Sequence, residues 1–173
     1  MKIYKKRRII HIYKIIKIIQ YIRLPSLVII LALVTAYYFR TDPIMMVSGK
    51  ELSGHELPYP ENWEFTNKFQ TIKVETNPLD PHSVTTLCFI REGRLIIPSQ
   101  DGHTKIWPQN VLKDNRARIK IADNIYLVRL NLIDQDAKIS ELEHFLVIKF
   151  PNKTPPESGE GPKNIWLFEV SPR

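Results

Sequence analysis

The sequence predicts a mainly β protein: a small, nearly closed barrel of about six strands with short helices, preceded by an N-terminal membrane helix. Three observations carry that expectation. Short apolar runs recur from residue 69 to residue 170, parted by turn residues. Prolines outnumber glycines, 13 to 6, as suits a chain with many strand ends and turns. A run without any charge, residues 24–39, lies between Arg23 and Arg40.

The N-terminus comes first. Residues 1–40 hold nine Lys/Arg (Lys2, Lys5, Lys6, Arg7, Arg8, Lys14, Lys17, Arg23, Arg40) and no acid. The other 133 residues carry 16 basic against 18 acidic side chains, about −2, so the body is not a basic nucleic-acid binder and no nucleic-acid partner is expected. From residue 9 to 22 the polar side chains His11, Lys14, Lys17 and Gln20 recur every three residues. On a helix they cover half the circumference and leave Ile and Tyr on the rest. Residues 1–23 therefore read as a basic amphipathic segment on an anionic membrane surface, the plainer alternative being a disordered basic tail.

Residues 24–40 read as the membrane anchor. At ~1.5 Å per residue the uncharged run covers about 24 Å, short of the ~30 Å hydrocarbon core. Snorkelling arginines and the aromatic cluster Tyr37, Tyr38 and Phe39 make up the difference, and Pro25 sits in the first turn, where proline is tolerated. The basic flank keeps the N-terminus cytoplasmic and puts the rest of the chain on the outer side, so residues 1–40 have membrane lipid as partner. Two alternatives stay open: a cleaved signal ending near Val34-Thr35-Ala36, and a helix packed on soluble protein.

Residues 41–62, broken by Pro43, Gly49, Gly54, Pro58 and Pro60, read as an extended linker, and residues 63–173 as the barrel domain. Residues 63–69 suit a short turn or helix. Residues 69–76 suit a strand with Ile72 and Val74 inward and Lys73 and Glu75 outward. A proline-bearing loop, 77–82, leads to the stretch 84–131 that organises the domain. There, 84–90 and 94–98 form a hairpin about Arg91-Glu92-Gly93, 99–105 is a polar loop, and 107–113 is a short helix beginning near Ile106. Strands 118–122 and 125–132 join at Asp123-Asn124. Beyond them we expect a polar turn at 134–140, a helix at 138–144, a strand at 145–150, an exposed loop at 151–162 and a closing strand at 165–170.

Chemistry is sparse. Cys88 is the single cysteine, so no intrachain disulfide forms, and its apolar neighbours suggest a buried, inert thiol. The five histidines show no zinc spacing, and no HExxH, P-loop or GxSxG motif is present, so no metal ligand is assigned. The loop Ser99, Gln100, Thr104, Lys105, followed by a helix start, offers hydroxyls, backbone N–H groups and an ammonium suited to a phosphate, against the plain reading of a solvated connection. Trp107 and Asn110, three apart, share a helix face, Trp packing on the core and Asn bracing the loop. His82, His103 and His144 are not brought together by spacing.

Residues 84–131 resemble the flavin-binding split β-barrel superfamily, including pyridoxamine-phosphate oxidase relatives and deazaflavin-dependent nitroreductases. Trp107-Pro108-Gln109-Asn110-Val111-Leu112-Lys113-Asp114-Asn115 is similar to the nitroreductase pattern W-x-x-N-L-x-x-N-P, with Asn115 in place of the proline. Thr104-Lys105 stands where the oxidase branch has a phosphate-binding Ser-Arg-Lys element, and residues 166–173 resemble the closing strand. This chain has Val84-Thr85 where the oxidases have an arginine, and adds Asp101. The resemblance implies a split barrel over residues 69–173 and FMN or deazaflavin as cofactor. Ser99, Gln100, Thr104 and Lys105 would hold phosphate, Trp107 and Asn110 would brace the loop, and a homodimer would be the assembly. It implies a flavin-dependent oxidoreductase of nitroreductase or oxidase type. Alternatives are a non-catalytic binding or dimerisation module, and a haem-binding barrel with an axial ligand among His82, His103 and His144.

Overall fold

The computed structural model describes residues 23, 25–38, 41–151 and 164–173. The chain divides into two compact units, residues 1–40 and 41–173. In the first, helix α1 covers residues 25–38, with its large apolar side chains exposed. Among the described residues no helix is long and apolar enough to cross a membrane. The expectations for residues 1–22 and 152–162 lie outside the described residues.

The second unit is a curled, mostly antiparallel sheet of eight strands: β1 (His55–Leu57), β2 (Ile72–Thr76), β3 (His82–Thr86), β4 (Phe89–Arg91), β5 (Arg94–Gln100), β6 (Arg116–Ile121), β7 (Asn124–Ala137) and β8 (Ile165–Pro172). Spatial order is β3-β2-β6-β7-β8-β5-β4, with β1 parallel to β7. A 3₁₀ turn (Glu64–Lys68), helix α2 (Ile106–Lys113) and helix α3 (Ile139–Lys149) complete it. The mainly β class with short helices is as the sequence predicts; eight strands replace about six.

Alternation explains the core. Val74, Ile97, Ile119, Val128, Leu130 and Phe168 turn to the inside of the curl and pack with Trp63 and Trp107. The unbroken apolar run of β5 has a second cause. Leu95 and Ile97 face inward while Ile96 joins Phe89, Leu142, Ile165 and Leu167 in a smaller cluster, against which Phe145 packs. Both faces of that strand are covered, so it carries no polar alternation.

Several local expectations are corrected. The run 84–90 is two strands, not one: β3 pairs with β2, β4 pairs with β5, and Leu87-Cys88 carries the chain from one sheet edge to the other. The β4–β5 turn falls at Glu92-Gly93, both at positive φ, as a two-residue hairpin requires. The β6–β7 turn is Ala122-Asp123, one residue early, because Ile121 pairs with Asn124. The polar turn expected at 134–140 is the far half of β7, which follows β8 through two register shifts; the segment has no Gly or Pro to end it.

Residues 145–150 are not a strand. One helix, α3, runs through to Lys149, with Leu142, Phe145 and Lys149 on one face at helical spacing. Lys149 is buried and donates hydrogen bonds to the carbonyls of Thr66 (2.8 Å) and Phe69 (2.7 Å). Glu75 is buried rather than outward. Its carboxylate accepts from the Leu52 N–H (2.6 Å) and from Arg118 (3.0 Å). Residues 41–62 are no linker either: they add β1 to the sheet, bury Leu52 and pair Asp42 with Lys73 and Lys120.

The two ends of the sheet, β3 and β4, are thus neighbours in sequence. Across the seam between β3 and β5 the Thr86 hydroxyl donates to the Pro98 carbonyl at 3.3 Å.

Candidate functional site

An open cleft of about 660 Å³ lies beside this seam. One wall is β3 and the residues that follow it, with His82, Val84, Thr85, Thr86 and Leu87. The facing wall is the end of β5 and the start of α2, with Pro98, Ser99, Gln100, Thr104, Lys105, Ile106 and Trp107. Leu142 and Ile165 line it too, as do Met45, Met46 and Ser48.

The loop after β5 is fixed from several sides. Asp101 takes positive φ, its N–H donates to the Asn164 carbonyl at 3.1 Å, and its own carbonyl accepts from the Thr104 N–H (2.9 Å) and hydroxyl (3.0 Å). Gly102 lies against the Trp166 indole so closely that a Cβ there would collide with the ring. Gln109 donates to the Gly102 carbonyl at 3.0 Å. The loop therefore delivers Lys105, N-cap of α2, to the cleft in a set position, and no side chain caps the first turn of that helix.

Five of the six sequence-predicted residues come together here: Ser99, Gln100, Thr104, Lys105 and Trp107. Lys105 makes no ion pair among the described residues, which leaves its ammonium available. Thr104 spends its hydroxyl proton on the Asp101 carbonyl, so it offers a lone pair and not a donor. Trp107 is the core anchor expected, its ring centroid 4.9 Å from that of Phe168. Asn110 is elsewhere. It donates to the Thr76 hydroxyl at 3.2 Å and braces the β2 end, while Gln109 braces the loop.

The three histidines part company. His82 lines the cleft, and burial lowers its pKa, only partly opposed by Asp80, which favours a neutral imidazole near pH 7. His103 and His144 are exposed. Cys88 is buried, and burial raises its pKa against the pull of Lys149, whose Nζ is 3.4 Å from the sulfur.

Sequence reading missed the Thr85-Thr86-Leu87 wall and the Met45-Met46 wall. The first was absorbed into a supposed continuous strand. The second had a signal: residues 43–49, Pro-Ile-Met-Met-Val-Ser-Gly, are uncharged between charged neighbours.

No family model matches the chain, and no curated protein matches it. Solved structures do. A candidate pyridoxamine 5'-phosphate oxidase from Listeria innocua is similar at 14% identity and TM-score 0.43, over 61% of this chain and 86% of that one. A NimC/NimA family protein from Clostridium acetobutylicum is similar at 19% identity and TM-score 0.41, over 62% and 74%. A pyridoxamine 5'-phosphate oxidase-related, FMN binding protein from Nostoc punctiforme is similar at 14% identity and TM-score 0.39, over 60% and 71%. These neighbours are of the kinds that the sequence resembles.

Proposed function

We propose that the chain is a membrane-anchored split barrel that holds FMN, or a related flavin, in the cleft between β3 and the β5–α2 loop, as an oxidoreductase-like protein of the nitroreductase or oxidase type. The observation that supports this is the union, in one cleft of about 660 Å³, of an ammonium without an ion pair among the described residues and an uncapped helix start with apolar walls. Small-molecule sites span roughly 300–1,000 Å³ and pair such walls with few polar groups. The residues fit the group. Lys105, the first-turn N–H groups, Ser99 and Gln100 would take the phosphate, and Val84, Leu87 and Ile165 would flank the ring system. A bound flavin supplies the hydride or electron transfer; the chain binds, orients and excludes water. Residues 24–40 are its anchor and residues 1–23 a basic amphipathic segment on the cytoplasmic side, with the barrel on the outer side, and a homodimer is its assembly.

The test is an absorbance spectrum of the full chain purified in detergent, followed by titration with FMN. Flavin bands, or saturable quenching of flavin fluorescence, are expected. A colourless protein that leaves FMN and deazaflavin fluorescence untouched sinks the reading.

A second reading is a binding or dimerisation module without redox chemistry. It is favoured by Val84-Thr85 in the β3 wall and by Lys105 being the single cation among the described lining residues. A third, haem, has His82 as its candidate ligand and predicts a Soret band.

A further inference from the structure

Four consecutive apolar side chains stand out in water beside the cleft: Ile44 (62% exposed), Met45 (81%), Met46 (98%) and Val47 (46%). They are not a loose loop. Ile44 and Val47 exchange both backbone hydrogen bonds, 3.1 and 2.9 Å, around a two-residue turn. Gly49 fastens that turn to β3 by exchanging bonds with Ser83 (2.8 and 3.1 Å), and a Cβ at Gly49 would meet the backbone of residues 41–43.

The choice of residues at the tip runs against local physics twice. Two-residue turns favour Gly, Asn or Asp, which accept positive φ; here Met45 takes φ +49. Two methionines in water also forgo burial that the same turn with polar residues would not need. A rigid tip that carries two methionines outermost is suited to a partner that is itself apolar and needs no shaped contact.

Covalent geometry limits what that partner is. Met46 lies seven residues beyond the end of the uncharged run 24–39, and a chain segment of that length spans at most about 25 Å. Flexible, unbranched Met side chains suit a disordered acyl environment. We propose that Met45 and Met46 form a wedge that enters the lipid surface, and that the cleft they help to line opens onto that surface. The proposal rests on the membrane-anchored reading above and is independent of flavin.

The experiment uses the full chain reconstituted in phosphatidylcholine–phosphatidylglycerol vesicles. Met46→Cys and Ile106→Cys (at the cleft mouth), with Glu92→Cys as the control at the β4–β5 turn, are each labelled with an environment-sensitive fluorophore. Buried Cys88 is kept in one series and replaced in a second by Cys88→Ala. The expected result is that the labels at 46 and 106 lose most of their emission to nitroxide lipids and resist aqueous iodide, whereas the label at 92 behaves oppositely. If the chain floats with the vesicles but iodide quenches the label at 46, the wedge is refuted and the anchor stands. If the chain does not float, both fall. Lipid contact at 46 with water at 106 refutes the lipid-facing mouth, and lipid contact at all three sites refutes a wedge. A label at 46 shielded from both quenchers means that a second copy covers the tip, which also overturns the proposal.

Discussion

Asp42 accepts a 2.7 Å hydrogen bond from Lys120, a residue 78 positions later on β6, and a second of 2.7 Å from Lys73 on β2. Two lysines on adjacent strands thus share one carboxylate from the start of the same unit. Partial burial alone would raise the Asp42 pKa, but Lys120, Lys73 and the Ser53 N–H outweigh it and hold the carboxyl at about 2. A carboxyl depressed in the fold stabilises above its unfolded value of about 4 and loses that contribution as pH falls towards about 2. Asp42→Asn is expected to cost about 1–2 kcal/mol at neutral pH after allowance for solvent screening, and to flatten the loss of urea stability over that acid window. An unchanged acid limb would mean that Asp42 is not its source.

Lys105→Ala is expected to weaken FMN about tenfold, roughly the value of one charge-assisted hydrogen bond. Riboflavin, which lacks the phosphate, should bind the variant and the parent alike. Equal loss for both ligands would assign Lys105 to the ring system or to loop integrity.

Gly102→Ala drives a methyl group into the Trp166 indole, and overpacking of that kind costs about 1–3 kcal/mol. Because the same loop carries Lys105, the variant should lose flavin affinity more than it loses stability. Paired thermal melts and FMN titrations decide this.

Glu75→Ala removes the acceptor for the Leu52 N–H and the partner of Arg118, leaving a largely buried guanidinium without its closest carboxylate. Arg118 retains Glu51 (3.2 Å) and Glu56 (3.7 Å), so the expected cost is about 1–3 kcal/mol, that of buried donors left short of an acceptor. Glu75→Gln keeps an acceptor for Leu52 and should cost less. Denaturant unfolding of the two variants would expose an error here, because equal losses would mean that charge alone matters.

Cys88 should resist a thiol reagent such as Ellman's in the native protein and react fully in denaturant. Burial both excludes the reagent and disfavours the thiolate. Rapid native labelling would show that the packing of α3 over Cys88 opens readily.

Part of the fold was legible because its signals were local. Arg91-Glu92-Gly93 between apolar runs announced a hairpin, and the polar residues 99–105 announced the connection between β5 and α2. What stayed hidden depended on distant partners. Glu75 looks outward by alternation, and only Arg118 and the Leu52 amide make its burial tolerable. Lys149 masked the helical face of α3 because a lysine normally counts as solvent-facing, yet here two carbonyls from the 3₁₀ turn region receive it. Leu87-Cys88 gives no turn signal at all. The break there exists because β3 and β4 belong to opposite edges of the sheet. Asn110 and Gln109 are adjacent on one turn, and no spacing rule says which reaches the loop.

Pro98 bears on how the cleft opens. A residue in a strand points its carbonyl and its N–H to the same side, and the Pro98 carbonyl is turned to Thr86. The missing N–H therefore lies on that side too, so β3 and β5 are denied one rung of a ladder that would zip the barrel shut. Widening the gap between them breaks a hydroxyl contact of 3.3 Å instead of a backbone rung. The barrel is in that sense hinged like a ring with a clasp, with Leu87-Cys88 as the short covalent link that limits how far it can gape.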